Sequence, residues 1–279
     1  MFDEGNPYML KRNDLSYVHL YLYSFLLSYA TLKKHYNHVT MYCNQKAYDT
    51  FIKYIPYDDI IIMENKNSID LWNGYKIDVL KTVNDECIHV DPDVFVYDDL
   101  FLEFIHGKGD ILIQNIVSPE DNNVIDFAYN NKEFLINTKI FTKEYDGRCA
   151  ACGVLGMRKK VFEPFFRAYD ILHKEIIGFK KKNGITMVGQ IIIIEELLLY
   201  LIAVENNYEL VDILPYDLIL KHGFVNVGNF INYCHVWQES KFKKEFIDDM
   251  RRKIQQDYFE YHHLVVEHDN RLKKLNILI

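Results

Sequence analysis

The 279 residues carry a formal net charge of −8 at pH 7, and 49% of them are hydrophobic, whereas only 12 are Gly and 6 are Pro. A chain of this length and composition can bury a full hydrophobic core, which excludes a low-complexity or disordered protein. Proteins that bind nucleic acid usually carry a surplus of Lys and Arg, so the acidic balance predicts that nucleic acid is not a partner.

The first predicted helix spans residues 15–35, with Asn13 or Asp14 as its N-cap. Residues 15–32 carry no formal charge, which is also a property of membrane spans. However, a spanning helix needs about 20 predominantly apolar residues, and polar side chains recur here along one side of the helix. These are Ser16, His19, Ser24, Ser28 and Thr31. We therefore predict a buried amphipathic helix and no membrane span.

The remaining predicted elements are short apolar strands that alternate with helices. In chain order they are a strand over 39–43, a helix over 47–54, a strand over 60–63, a helix over 71–82, a strand over 87–90, an apolar run over 94–97, strands over 111–115 and 153–157, helices over 160–173 and 190–205, strand-like segments over 212–215 and 233–236, and a charged helix over 239–263. This order predicts an α/β fold with a mostly parallel central sheet flanked by helices. Strands that are apolar throughout are typical of a sheet covered on both faces.

The five cysteines do not form a disulfide framework in a chain of this length. Cys149 and Cys152 have the spacing of a redox or zinc pair, but a structural zinc site usually needs two such pairs. We therefore predict reduced, structural thiols and a cytoplasmic location.

Two carboxylates, Asp91 and Asp93, follow the strand over 87–90, at the end of a strand where ligands bind in such sheets. Two acids this close repel each other, and a divalent cation such as Mg²⁺ or Mn²⁺ removes that repulsion and readily shares its coordination with phosphates. An Asp-x-Asp occurs by chance about once in a chain of this size, so a capped turn with no metal is the alternative.

The stretch His89-Val90-Asp91-Pro92-Asp93-Val94-Phe95 resembles the DxD signature of GT-A glycosyltransferases. It is especially similar to a group of bacterial DxD proteins in which a Trp and a Lys lie on the preceding helix, as Trp72 and Lys76 do here. The resemblance implies that Asp93 binds the metal, that Asp91 helps hold the metal and the donor ribose, and that Trp72 and Lys76 bind the donor. Pro92 replaces a small residue of that motif.

His235 and Lys241 resemble the His-x-x-Gly-x-x-Lys motif of family 8 glycosyltransferases. The resemblance implies that His235 completes the metal site and that Lys241 contacts the diphosphate. Gln238 stands in place of the Gly and Phe242 in place of the following Pro, so the backbone at position 238 lacks the close approach that Gly permits. A structural histidine beside an aromatic residue is the alternative for His235.

Two further stretches resemble the same group. Glu195 falls at the Glu of an Ile-Glu-Gln sequence, which implies a catalytic role on the acceptor side, and its neighbour Glu196 falls at the Gln position as a second catalytic candidate. A buried salt bridge from Glu195 to a Lys or Arg is the alternative, because carboxylates within an apolar helix are rarely unpaired. Cys152 and Gly153 lie where the family has an Asn-x-Gly-Val strand entry that contacts the donor sugar.

Together these motifs, over about residues 15–245, imply a GT-A-like catalytic domain over 1–245 with a helical extension packed on it over 246–279. The expected activity is metal-dependent transfer of a sugar from a nucleotide-diphosphate donor to a glycan, small-molecule or protein acceptor. Two alternatives stay open, a non-catalytic nucleotide-sugar-binding protein and a sugar-nucleotidyltransferase, although the second usually needs a Gly-rich basic loop that residues 1–14 do not supply.

Overall fold

The structure is a computed structural model that describes residues 15–63, 74–118, 140–143, 146–183, 192–236 and 243–275. In chain order the labelled elements are α1 (Leu15–His35), β1 (Thr40–Cys43), α2 (Gln45–Thr50), β2 (Asp59–Ile62), α3 (Gly74–Val83), β3 (Cys87–Val90), β4 (Val94–Val96), α4 (Leu102–Ile105), β5 (Ile111–Val117), β6 (Cys149–Met157), α5 (Lys159–Asn183), α6 (Leu198–Asn206), β7 (Leu210–Asp212), α7 (Tyr216–His222), α8 (Phe224–Phe230), β8 (Tyr233–His235), α9 (Lys244–Asp257) and α10 (His262–Lys274). A π-helix over Ile192–Leu197 precedes α6, and short 3₁₀ turns cover Ile52–Tyr54 and Phe259–Tyr261.

The chain forms two compact units, each assembled from separate segments. The first unit comprises Met1–Asn65, Asp91–Asp99 and Asn229–Ile279, and the second comprises Lys66–Val90 and Leu100–Gly228. The described residues therefore form a mixed α/β structure, which confirms the predicted fold class at that level. The predicted boundary between residues 245 and 246 stays a prediction, and it is not a boundary between these two units.

The first unit has helices packed around two small ribbons of strands. β1 pairs with β2 in parallel, and β4 pairs with β8 antiparallel. The apolar residues Ile247, Met250 and Ile254 recur at helical spacing on α9, and all three are buried in the core that α1 and α10 also build. The otherwise charged sequence of α9 is thus an amphipathic helix with one stripe facing the core.

The second unit contains a four-stranded sheet in the order β3-β6-β5-β7. β6 pairs antiparallel with both β3 and β5, and only β5 and β7 pair in parallel. The prediction of a mostly parallel sheet is therefore wrong for the described strands. An apolar strand indicates that both faces are covered, but it carries no information about the direction of its neighbours.

Most predicted elements lie close to their observed positions, and the differences have local causes. The strand over 87–90 is confirmed as β3. The helix predicted over 47–54 is interrupted at Phe51, and within the prediction over 239–263 helix α9 ends before Tyr258, whose ψ of 50° leaves the helical range. The helix predicted over 190–205 is a π-helix from Ile192 to Leu197, and the helix predicted over 160–173 extends to Asn183 as α5. Residues 190, 191 and 239–242 lie outside the described part of the chain.

Two predictions concern the first helix, namely its N-cap and the absence of a membrane span. Asn13 and Asp14 lie outside the described residues, so the predicted N-cap stays a prediction. Among the helices that the structure describes, none has the length and apolar character that crossing a membrane requires.

Candidate metal centre

The two predicted metal-binding carboxylates lie on a tight turn in the first unit. The Asp91 carbonyl accepts a hydrogen bond from the Val94 amide at 3.0 Å, which closes the turn directly before β4. Pro92 occupies the second position, which proline favours because its ring holds φ at about −65°, and aspartate is favoured at the first position. We call residues 91–94 the aspartate turn. It places one carboxylate on each side of Pro92.

The pairing of β4 with β8 brings the predicted histidine to this turn. Val94 lies opposite His235 in the antiparallel register. The Val236 amide donates to the Asp93 carbonyl at 3.0 Å and continues the ladder one step into the aspartate turn. A residue far along the chain is thereby held beside Asp93 by backbone hydrogen bonds.

Asp91, Asp93 and His235 each offer one ligand atom, and these atoms all lie within 4.8 Å of one another. We call these three residues the candidate metal site. His235 Nε2 lies 3.5 Å from Asp93 Oδ1, and both side chains are mostly buried. Ligands of one Mg²⁺ bind at about 2.0–2.1 Å, so they lie about 3.0 Å apart when adjacent and about 4.2 Å apart when opposite. The 3.5 Å separation of His235 Nε2 and Asp93 Oδ1 falls within that range.

The chemistry of these donors fits a divalent cation. Two carboxylates favour Mg²⁺ or Mn²⁺, and an imidazole adds a ligand that transition metals accept more readily than Mg²⁺ does. Burial, followed by the nearby Asp91 and Asp93, raises the pKa of Tyr233 well above 10. The phenol therefore stays protonated and adds no negative charge beside the two carboxylates. Tyr233 and His235 alternate with Cys234 on β8, so both point to the same face of that strand.

The other described residues of the predicted site lie in the second unit. Lys76 Nζ on α3 donates to Glu195 Oε1 at 2.5 Å and to the Cys152 carbonyl at 2.9 Å. The side chains of Lys76 and Glu195 are only 9% and 5% exposed. The salt bridge that the sequence left open for Glu195 is therefore present, and its partner is a lysine that was predicted to contact the donor.

The neighbours of this salt bridge are buried thiols. Glu196 Oε2 lies 3.9 Å from the Cys149 Sγ, and burial, followed by Glu196, raises the pKa of Cys149. Cys149 and Cys152 are free cysteines of β6 that are buried in the same hydrophobic core cluster, and burial raises the pKa of both thiols. A raised pKa keeps a thiol protonated and unreactive, which supports the prediction of reduced structural thiols. Gly153 is buried in the same strand.

The predicted site residues thus fall into groups. Asp91, Asp93 and His235 come together in the first unit, and Lys76 and Glu195 come together with Cys152 in the second. Trp72 and Lys241 lie outside the described residues, so their donor-binding roles stay predictions.

Two residues at the candidate metal site, Tyr233 and Ser24, are not among the predicted site residues. Tyr233 could have been found from its position two residues before His235 on a predicted strand. Ser24 donates from its Oγ to the Pro92 carbonyl at 2.7 Å, and its signal was the polar side of the first helix.

The chain was compared with protein families, curated proteins and solved structures. A model of a family of unknown function (DUF6734) matches residues 11–268, which is most of the chain. No curated protein and no solved structure matches the chain.

Proposed function

We propose that the chain, which belongs to the DUF6734 family, is a metal-dependent glycosyltransferase of the GT-A type. It would transfer a sugar from a nucleotide-diphosphate donor to a glycan, small-molecule or protein acceptor. The observation that carries the proposal is the convergence of Asp91, Asp93 and His235 at one point of the first unit. Two partly buried carboxylates this close together repel each other, and a divalent cation would remove that repulsion.

The three residues of the candidate metal site would hold Mn²⁺ or Mg²⁺. When bound, such a cation acts as a Lewis acid that neutralises the charge developing on a departing diphosphate. Asp93 and His235 are fixed through the β4–β8 ladder, and Asp91 is fixed as the first residue of the aspartate turn. The chain therefore presents these ligands on backbone that hydrogen bonds already order, which lowers the entropic cost of binding.

The catalytic roles of Glu195 and Glu196 stay predictions, as do the donor contacts of Lys76, Cys152 and Gly153. Glu195 already accepts a hydrogen bond from Lys76, so a substrate hydroxyl would compete with Lys76 for this carboxylate. Glu195→Gln keeps the shape of the side chain and removes its charge. If Glu195 acts on the acceptor, this variant loses turnover but keeps its affinity for the donor.

The proposal is tested by a thermal-shift panel of UDP-, GDP- and CMP-linked sugars, each with and without Mn²⁺. We expect one diphosphate donor to raise the melting temperature, and we expect this rise only in the presence of Mn²⁺. A ligand that binds only the native state stabilises that state. Asp93→Asn should abolish this rise. Asp98→Asn is the matched control, because it removes one negative charge from the same unit at an exposed position outside the candidate metal site.

The second measurement is product formation from the stabilising donor, followed by chromatography of the released nucleoside diphosphate. Release that requires Mn²⁺ and is lost in Asp93→Asn supports glycosyl transfer or its hydrolytic side reaction. A wild-type protein that no donor stabilises, with or without metal, contradicts the proposal.

One observation favours the non-catalytic alternative, namely that the predicted acceptor-side carboxylate is engaged in a buried salt bridge. A protein of this kind would bind Mn²⁺ and a nucleotide-sugar but release no nucleoside diphosphate. Stabilisation without turnover, in wild type and in Glu195→Gln alike, would establish that alternative.

A further inference from the structure

Three polar residues of α1, namely Ser24, Ser28 and Thr31, are buried and do not face solvent. Ser24 is 1% exposed and Thr31 is 0% exposed, and about two helical turns separate them, so they lie on one face. Buried hydroxyls are costly unless they are hydrogen-bonded. Ser24 Oγ donates to the Pro92 carbonyl at 2.7 Å, and Thr31 Oγ1 accepts from the Val96 amide at 3.3 Å. Both hydroxyls thus bond the short segment that carries the aspartates.

The Pro92 carbonyl belongs to the central peptide of the aspartate turn. Turns of types I and II differ by a flip of this peptide, and proline at the second position is compatible with both. Type II requires a positive φ at the third position, whereas the only described non-glycine residues with positive φ are Asn84, Asn207 and Asn232. Asp93 has a negative φ, so the turn is not of type II.

We infer that Ser24 is a positioning residue that fixes the central peptide of the aspartate turn and thereby orients Asp93 toward the shared cation. Its hydroxyl holds the Pro92 carbonyl toward α1, and a flipped peptide would lose this bond. The Val94 amide bond constrains the ends of the turn, and the Pro92 ring constrains one torsion, but neither fixes the central peptide. Ser24 bonds the backbone carbonyl of Pro92, so it would act on the candidate metal site through Asp93.

This inference rests on the metal centre of the proposed function, so its test has one readout that needs the metal and one that does not. The variants are Ser24→Ala and the matched control Ser28→Ala. Ser28 is also buried on α1, and its carbonyl accepts the Thr31 hydroxyl within the helix. Ser24→Thr, which keeps a hydroxyl, serves as the conservative variant.

The metal-free readout is the hydrogen-exchange rate of the Val94 amide, whose bond to Asp91 closes the turn. Loss of one hydrogen bond corresponds to about three- to tenfold faster exchange in Ser24→Ala. In Ser28→Ala the exchange rate of the Val94 amide should stay within about twofold of wild type, which is a smaller change than the loss of one hydrogen bond produces. If wild type, Ser24→Ala and Ser28→Ala are all folded and their Val94 amides exchange at the same rate, the inference is overturned.

The metal readout is the Mn²⁺ dissociation constant, from electron paramagnetic resonance of the free ion. Ser24→Ala should raise it by about three- to tenfold, and Ser24→Thr should restore it, because the loss is that of one hydrogen bond. Faster Val94 exchange with an unchanged dissociation constant would show that Ser24 holds the turn without orienting Asp93, and this also overturns the inference. A wild type that binds no Mn²⁺ instead overturns the metal centre itself.

Discussion

Removing either partner of the salt bridge between Lys76 and Glu195 should lower the free energy of unfolding by several kcal/mol, because the other charge is then left buried without its partner. Both side chains are less than a tenth exposed, so water cannot replace the lost partner. Breaking a buried pair by removing one member costs about 3–5 kcal/mol. Lys76→Met should cost about 1 kcal/mol more than Glu195→Met, because it also removes the hydrogen bond to the Cys152 carbonyl.

The double variant should be far less destabilised than the two single variants together. Two methionines leave no buried charge, so the main remaining cost is the unpaired Cys152 carbonyl, at about 1 kcal/mol. Urea unfolding of wild type, both single variants and the double variant, followed by circular dichroism at pH 7, gives the coupling free energy directly. A coupling of at least about 3 kcal/mol is expected. Additive costs, or single variants within about 1 kcal/mol of wild type, would refute the reasoning, because they would mean that water reaches the pair.

Three further predictions concern other parts of the chain. Burial above all lowers the pKa of His268 from 6.5 to about 4, so the unfolded chain binds more protons between these values. The free energy of unfolding should therefore fall by up to about 3 kcal/mol as pH drops from 6.5 to 4. Urea titrations at several pH values should show a weaker pH dependence in His268→Phe. Parallel curves of unfolding free energy against pH for wild type and variant would contradict this prediction. Iodoacetamide at pH 8 should alkylate Cys149 only in urea, because burial raises the pKa of this thiol in the native protein. Peptide mapping measures the labelling, and rapid labelling of the native protein would contradict the prediction. Gly109 has a φ of 71°, and a Cβ there would lie 2.3 Å from Val211 Cγ2, whereas at Gly107 none of the surrounding atoms would come within 4 Å. Gly109→Ala should therefore lower the free energy of unfolding by at least about 1 kcal/mol more than Gly107→Ala, and equal losses would show that Val211 moves aside at no cost.

Local patterns in the sequence were sufficient to predict where most helices and strands lie. The apolar run over 87–90, bounded by acidic residues, is β3, and the last turn of α1 ends at His35 as expected. Strand direction could not be predicted, since an apolar strand such as Ile111–Val117 is compatible with neighbours in either direction. The division into two units was also missed, because it depends on contacts between segments far apart in sequence.

The candidate metal site was predictable because its signal is local at Asp91 and Asp93 and because a known motif indicated His235. The partner of Glu195 was not predictable. A carboxylate in an apolar helix predicts that some cation is buried with it, but periodicity does not say which one. Lys76 was therefore considered for the donor and Glu195 for the acceptor, although the structure joins them.

The first unit is assembled from three segments of chain, the last of which begins at Asn229. During synthesis, the ribosome must therefore release the whole second unit before the strand bearing His235 can reach the two aspartates. Helices α9 and α10 emerge later still, and they contribute Ile254 and Leu272 to the hydrophobic core that contains α1. Until then α1 exposes much of its apolar surface, so the nascent chain offers a long binding site for chaperones.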